Sequence, residues 1–370
     1  MKALLTVRRT RAPFPPASST KLATRQVGLG RALAVAFVLL AVAAAVGLSL
    51  GAAGLPPSTV WRVIVGHIPL VPHPHVDAVD EAIVWQIRAP RVVLAAIVGA
   101  MLAGGGATYQ GVFRNPLADP YLLGVAAGGG LGATAIIVSG GSSELLPVAA
   151  FVGAVAAVAM TYALGSTAKW DTGVGSAAVG NTSIVLAGVA VAAMFTAMQT
   201  YLQQQHVTTI QEVYGWILGQ LTLASWSDVG TVAPYAAVAA IVLVAGAARL
   251  DVLRVGEEEA STLGIDPARL RLVLIGAATL GTAAAVAVSG LIGFVGIIVP
   301  HTVRLTTSSS YRVLLPVSMV TGAAFLILAD VAARTIQAPA EIPLGVVTAM
   351  VGAPFFLYVL RSRRAREALS

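Results

Sequence analysis

The stretch Arg88–Gly124, RAPRVVLAAIVGAMLAGGGATYQGVFRNPLADPYLLG, constrains this chain more than any other. Two arginines bracket a proline, an apolar run of helix length follows, and the loop Arg114-Asn115-Pro116 through Asp119-Pro120 closes it. Gly99, Ala100, Ala103, Gly104, Gly105 and Gly106 offer little apolar surface for a soluble core, but they let helix backbones approach closely in lipid. Pro116 and Pro120 stop helices, and irregular backbone survives at membrane depth only where protein or water covers it. The stretch belongs inside a bundle of membrane helices.

The rest of the chain agrees. Of 370 residues, 57% are hydrophobic and 11% charged, against about 25% charged in soluble domains. Apolar runs of about 20 residues, enough to span a bilayer, recur from Arg31 onward. The pattern predicts an all-α integral membrane protein with about ten transmembrane helices. No polar segment is long enough to bury a core of its own, so there is no separate soluble domain. The chain has no Cys, which removes disulfide and thiolate-metal chemistry. The net charge of +7 sits at helix ends rather than in one patch, which reads as positive-inside topology and not as a nucleic-acid surface.

Three parts follow: a basic tail over 1–31 without an acidic residue, a polytopic body over 32–361, and a basic tail over 362–370. Arg8-Arg9 superficially matches a twin-arginine signal, but the first apolar run lies too far downstream and more spans follow. Both tails are placed in the cytoplasm, which requires an even number of spans.

Several polar elements interrupt the body. Gly54–Gln86 reads as an external loop. Its His73-Pro74-His75 has no third ligand nearby and reads as solvated histidines rather than a metal site. Gln203, Gln204 and Gln205 open the least hydrophobic interior stretch, which runs on to Trp216 and Trp226 at interfacial depth. Its polar residues suit an outward-facing mouth or a plain external loop. Arg249–Arg271 is the most charged segment. Glu257, Glu258 and Glu259 follow Gly256 at a helix start, where negative charge suits the macrodipole. Gly264 closes that helix and Pro267 begins another, giving a surface helical hairpin over about 250–271. Lys169-Trp170-Asp171 reads as a cytoplasmic loop. His301 is assigned to packing or loop hydrogen bonding. Asp330 and Arg334, four apart, pair on one helical face.

The chain resembles the FecCD-type permeases, membrane subunits of ABC importers for ferric siderophores, haem and cobalamin. The resemblance rests on Arg88-x-Pro90-Arg91, Gly99-Ala-x-Leu-Ala103, Gln110, Arg114-Asn-Pro-Leu-Ala118 through Pro120 to Gly124, and Leu186-Ala-Gly188. Further matches are Gly290-Leu-Ile-Gly293-Phe-Val-Gly296-Ile-Ile-Val-Pro300-His301-x-x-Arg304, Asp330-x-x-x-Arg334, Glu341-Ile-Pro343-x-Gly345 and Gly352-Ala-Pro354. It covers roughly Ala32 to Arg361. Ser289 and Gly219-Gln220 depart from the usual family residues, and Glu257–Glu259 is unusually acidic.

The resemblance implies a type II ABC importer permease fold, working as a homodimer or a heterodimer with a paralogue in a bacterial inner or plasma membrane. It implies two ATPase subunits, which Gly256, Glu257, Glu258, Glu259, Ala260, Leu263 and Gly264 would meet as coupling elements. It implies a substrate-binding protein whose glutamates would dock on Arg88, Arg91 and Arg334, three arginines that fall outside against the positive-inside trend. Charge reversal of Arg88 with Arg334 is expected to abolish transport and leave folding intact. Gln110, Asn115, Pro116, Gln203, Gln204 and Trp216 are expected on the pathway, and the resemblance implies a short helix beside it in the stretch after Gln203. No cofactor is implied.

The energy source can be argued from the residues alone. A P-loop needs Gly-x-x-x-x-Gly-Lys-[Ser/Thr], and the only lysines, Lys2, Lys21 and Lys169, follow Met1, Thr20 and Ala168. ATP hydrolysis must occur on another polypeptide. A secondary transporter would show repeats or several embedded acids, and a polytopic enzyme would show a nucleophile–base or metal set. The chain shows neither. The substrate stays open: ferric siderophore is favoured by frequency within the family, ahead of cobalamin and haem. Val84–Arg88 resembles cobalamin permeases and siderophore permeases alike.

Overall fold

The computed structural model describes residues 28–51, 53–68, 75–167 and 176–361. Most of the N-terminal basic tail, the tail from 362, His73 and the Lys169-Trp170-Asp171 loop lie outside the described residues. The described chain is helical: α1 Leu29–Ser49, α2 Pro57–Gly66, α3 Ala78–Ala82, α4 Ala89–Val112, α5 Val125–Val138, α6 Leu145–Thr167 and α7 Ser176–Gln205. It continues with α8 Ile210–Ile217, α9 Trp226–Val255, α10 Glu257–Thr262, α11 Pro267–Ser289, α12 Val295–Thr306, α13 Tyr311–Thr335 and α14 Leu344–Arg361.

Local chemistry sets the helix starts. Asp77 caps α3 by accepting from the Val79 N–H at 2.8 Å. Ser225 and Asp228 form a reciprocal capping box at the head of α9, and Asp266 accepts from Ala268 and Arg269 ahead of Pro267 in α11. Each satisfies N–H groups that a helix start leaves without partners. A π-helical turn, Ile83–Arg88, carries α3 into α4.

The bundle is built around α4. In its apolar window 78% of residues are buried, against 22% for α1, so α4 is the interior post and α1 faces outward. Glycine makes that position possible. A methyl on Gly99 would strike the Gly322 carbonyl of α13, and one on Gly106 would strike the Gly296 carbonyl of α12. Gly128 and Gly153 bring α5 and α6 together in the same way. Close backbone approach replaces the hydrophobic drive that lipid does not supply.

Among the described residues, seven helical stretches are long and apolar enough to cross a membrane. The sequence pattern predicts about ten. Two further apolar helices are shorter than a span, α5 and the 344–359 part of α14, and the twelve-residue α12 is shorter still. Two of them begin inside the bundle. After α4 the chain turns at Arg114, which has a positive φ of 51°. It then re-enters through Asn115–Asp119 and a 3-10 turn, Pro120–Leu123, before α5 starts at Val125. After α11 it bends through Gly290–Phe294 before α12 starts at Val295.

The two irregular segments meet: the Tyr121 hydroxyl donates to the Ile292 carbonyl at 3.1 Å and accepts from the Ile292 N–H at 3.0 Å. Broken backbone inside the bundle is thus covered by protein and paired, as its depth demands.

Hydrogen bonds define two ends of the molecule. At one, the head of α4 meets the tails of α1 and α13 through Arg88, Arg91 and Arg334. At the other, Arg114 donates to the Leu253 carbonyl of α9 at 2.8 Å.

Candidate functional site

The three arginines singled out in the sequence do converge, but they point inward. Their relative exposures are 3% for Arg88, 5% for Arg91 and 6% for Arg334. Arg88 donates to the carbonyls of Leu48 at 2.9 Å and Ser49 at 3.0 Å, and also to Ala53, tying off the end of α1. Arg334 donates to the Gly47 carbonyl.

Arg91 is held from two sides. Its Nε and Nη2 reach Asp330 at 3.0 and 2.8 Å, and its Nη1 and Nη2 reach Glu341 at 2.9 Å each. Asp330 and Arg334 do pair along α13, at 3.5 Å, yet the shorter partner of Asp330 is Arg91 of a different helix. Glu341 also accepts from the Thr222 hydroxyl at 2.9 Å. The Arg91 bonds hold the Glu341 carboxyl below the ordinary carboxylate range, so it stays ionised at neutral pH.

A groove of about 520 Å³ begins at Gly345, four residues along the chain from Glu341. Ile217 and Leu218 at the end of α8, Leu291 and Phe294 of the broken segment, and Val346 and Met350 of α14 line it. Its lining side chains are apolar. Its edge is fastened by backbone bonds, from Leu344 N–H to Gly219 O and from Gly345 N–H to Leu218 O, both 2.9 Å. Gly345 sits so close to the Leu218 and Leu291 carbonyls that a larger residue would collide with them.

The opposite end carries α10. Glu257, Glu258 and Glu259 occupy its first turn, and Gly264, with φ +76°, ends the segment. Ala260 is buried, while Glu258, Glu259 and Leu263 face outward. Glu257 pairs with Arg271 of α11. The second arm of the expected hairpin is not a separate surface helix: Pro267 is the first residue of the long α11.

Asp251 anchors this end, a role the sequence reading missed. Its carboxylate accepts from the Ser310 hydroxyl at 2.6 Å and the Tyr311 N–H at 2.7 Å, so α9 caps the start of α13 from outside. Arg254 adds a bond to the Ser309 carbonyl at 2.9 Å.

The expected pathway residues separate. Gln203, Gln204 and Trp216 stand near the cluster end, on the last turn of α7 and on α8. The stretch around Trp216 is a short helix, not a plain loop. Gln110 is enclosed, 2% exposed, with its amide donating to the Gly296 carbonyl and accepting from Arg304, both at 3.1 Å. It braces the two ends of α12 and does not line the groove. Asn115 and Pro116 lie in the α4–α5 loop at the far end, where Asn115 accepts from the Leu117 N–H at 2.9 Å. His301 packs edge-on against Phe355 of α14. Among the described residues no group of three or more His, Asp or Glu is arranged to hold a metal ion.

The expectation that reversing Arg88 and Arg334 leaves folding intact does not survive this geometry. A carboxylate at 88 would face the carbonyls of Leu48 and Ser49, and one at 334 would face Asp330.

Comparison with known proteins bears on this bundle directly. Residues 39–362 match the FecCD transport family. This chain belongs to that family. The FecCD chain is 44% identical over 287 residues to the cobalamin import system permease protein BtuC of Halobacterium salinarum, covering 77% of this chain and 75% of that one. It is 37% identical over 343 residues to the hemin transport system permease protein HmuU of Yersinia pestis, covering 89% and 95%. A solved inward-facing metal-chelate type ABC transporter shares 28% identity and superposes with a TM-score of 0.77, over 90% of this chain and 99% of that one. The helical bundle thus shares its fold with a solved ABC transporter.

Proposed function

We propose that this chain is the membrane-spanning permease of an ABC importer that carries a bulky metal chelate. The observation that carries the reading is the groove lined by apolar side chains at the Arg91 end, a wall that lets a large ligand pass without holding it. An acidic helix, α10, stands at the opposite end, and in this reading it meets an ATPase subunit. In this reading α5, α12 and α14 complete ten spans, and both tails and α10 lie in the cytoplasm. Two such chains, identical or paralogous, face each other, with two ATPase subunits beneath and one substrate-binding protein above. The binding protein docks over the arginine cluster.

For the substrate, the family-frequency argument favours a ferric siderophore. The 44% identity to a cobalamin import permease favours cobalamin as the second reading. Uptake of radiolabelled ferric siderophore and of radiolabelled cobalamin, in cells lacking this gene, separates them. Loss of iron uptake alone supports the first, and loss of cobalamin uptake alone supports the second. Loss of neither, with haem uptake also intact, sinks the importer reading.

A further inference from the structure

Both faces of the Arg91 guanidinium that could grip a carboxylate are occupied. Nε and Nη2 hold Asp330, and Nη1 and Nη2 hold Glu341. A docking carboxylate can take Arg91 only if one of these leaves, because bidentate pairing needs a free edge. The two are not equivalent. Asp330 is 1% exposed, fixed within α13 and shared with Arg334. Glu341 stands on the loop between α13 and α14, with its side chain 31% exposed, and can rotate into water.

We propose that Glu341 is a displaceable latch: a partner carboxylate replaces it on Arg91, and its departure loosens the edge of the groove. The inference rests on the docking reading above. Its second half follows from what Glu341 fastens. The same carboxylate holds Thr222, and three residues further on Leu344 and Gly345 bond to Gly219 and Leu218. Residues 341–345 therefore form one strap along the groove, with Glu341 pinning its head to α4. Exchanging one carboxylate for another leaves the charge of the cluster unchanged. The partner's differential contact is thereby directed to the strap, as a population shift requires.

The chain has no cysteine, so Val346→Cys gives the full-length permease in nanodiscs a single thiol at the groove. Its reaction rate with a maleimide is read without any partner. Glu341→Gln is expected to raise that rate about tenfold, as loss of one charge-assisted pair allows. Thr222→Ala, which leaves every ion pair in place, is expected to raise it less. A thiol at the distant Glu258 position should react at an unchanged rate in both backgrounds. An unchanged Val346→Cys rate in Glu341→Gln overturns the latch.

The importer's own substrate-binding protein then tests the exchange. Glu341→Gln should bind it about tenfold more tightly, because the internal competitor is gone, and Arg91→Gln should bind it more weakly. If association is indifferent to both substitutions while labelling still rises, docking on Arg91 is wrong and the exchange falls with it.

Discussion

Arg91, Asp330 and Arg334 carry more of this structure than their number suggests, because each is buried and each depends on the others. Asp330 serves two guanidinium groups, Arg91 at 2.8 Å and Arg334 at 3.5 Å. Removing one partner of a buried pair leaves an uncompensated charge, which costs about 3–5 kcal/mol. Asp330→Asn is therefore expected to destabilise the purified permease by about 3 kcal/mol, read as a lowered unfolding midpoint in detergent. Arg334→Gln should cost less, since Asp330 keeps Arg91. Equal midpoints for the two variants would show that Asp330 is not shared. The Asp330–Arg334 spacing is legible in the sequence because it is local. The bond that matters more joins residues 239 positions apart, and no periodicity encodes it. The pairing roles of Glu341 and Asp251 escaped notice for the same reason: their partners come from other elements.

At the scale of helices, the glycines divide into two kinds that composition alone does not distinguish. Gly106 has the Gly296 carbonyl where a side chain would go, whereas Gly276 of α11 has open space. In a helix, Gly→Ala ordinarily gains up to about 1 kcal/mol, while an added methyl in a packed site costs about 1–3 kcal/mol. Gly276→Ala is therefore expected to leave the unfolding midpoint level or raise it, and Gly106→Ala to lower it. A Gly106→Ala variant as stable as Gly276→Ala would mean that α4 and α12 are not in backbone contact. The α10 boundaries were readable because Gly256, Gly264, Asp266 and Pro267 are local signals, whereas Gly54–Gln86, read as an external loop, holds α2 and α3. The depth at which α5 and α12 begin was not. Gly and Pro announce an interruption, but only the pairing of Tyr121 with Ile292 tells where in the bundle it falls.

The whole molecule is polarised from end to end, and the direction of each long helix follows from the ends it joins. Helices α1 and α13 run toward the Arg91 cluster, α4 and α9 run away from it, and α11 returns from α10. Two markers, Val207 ahead of α8 and Glu258 of α10, fall at opposite ends and are both exposed. In the importer reading the first faces the outside and the second the cytoplasm. With no native cysteine, Val207→Cys and Glu258→Cys can be labelled one at a time in cells whose outer barrier is opened, using a reagent that does not cross the inner membrane. Val207→Cys is expected to react in intact cells, and Glu258→Cys only after lysis. The opposite pattern would place α10 where no ATPase subunit can reach it. Reaction of both in intact cells would mean that the two ends do not lie on opposite sides of a membrane, and the ten-span reading would fail with the coupling role of α10.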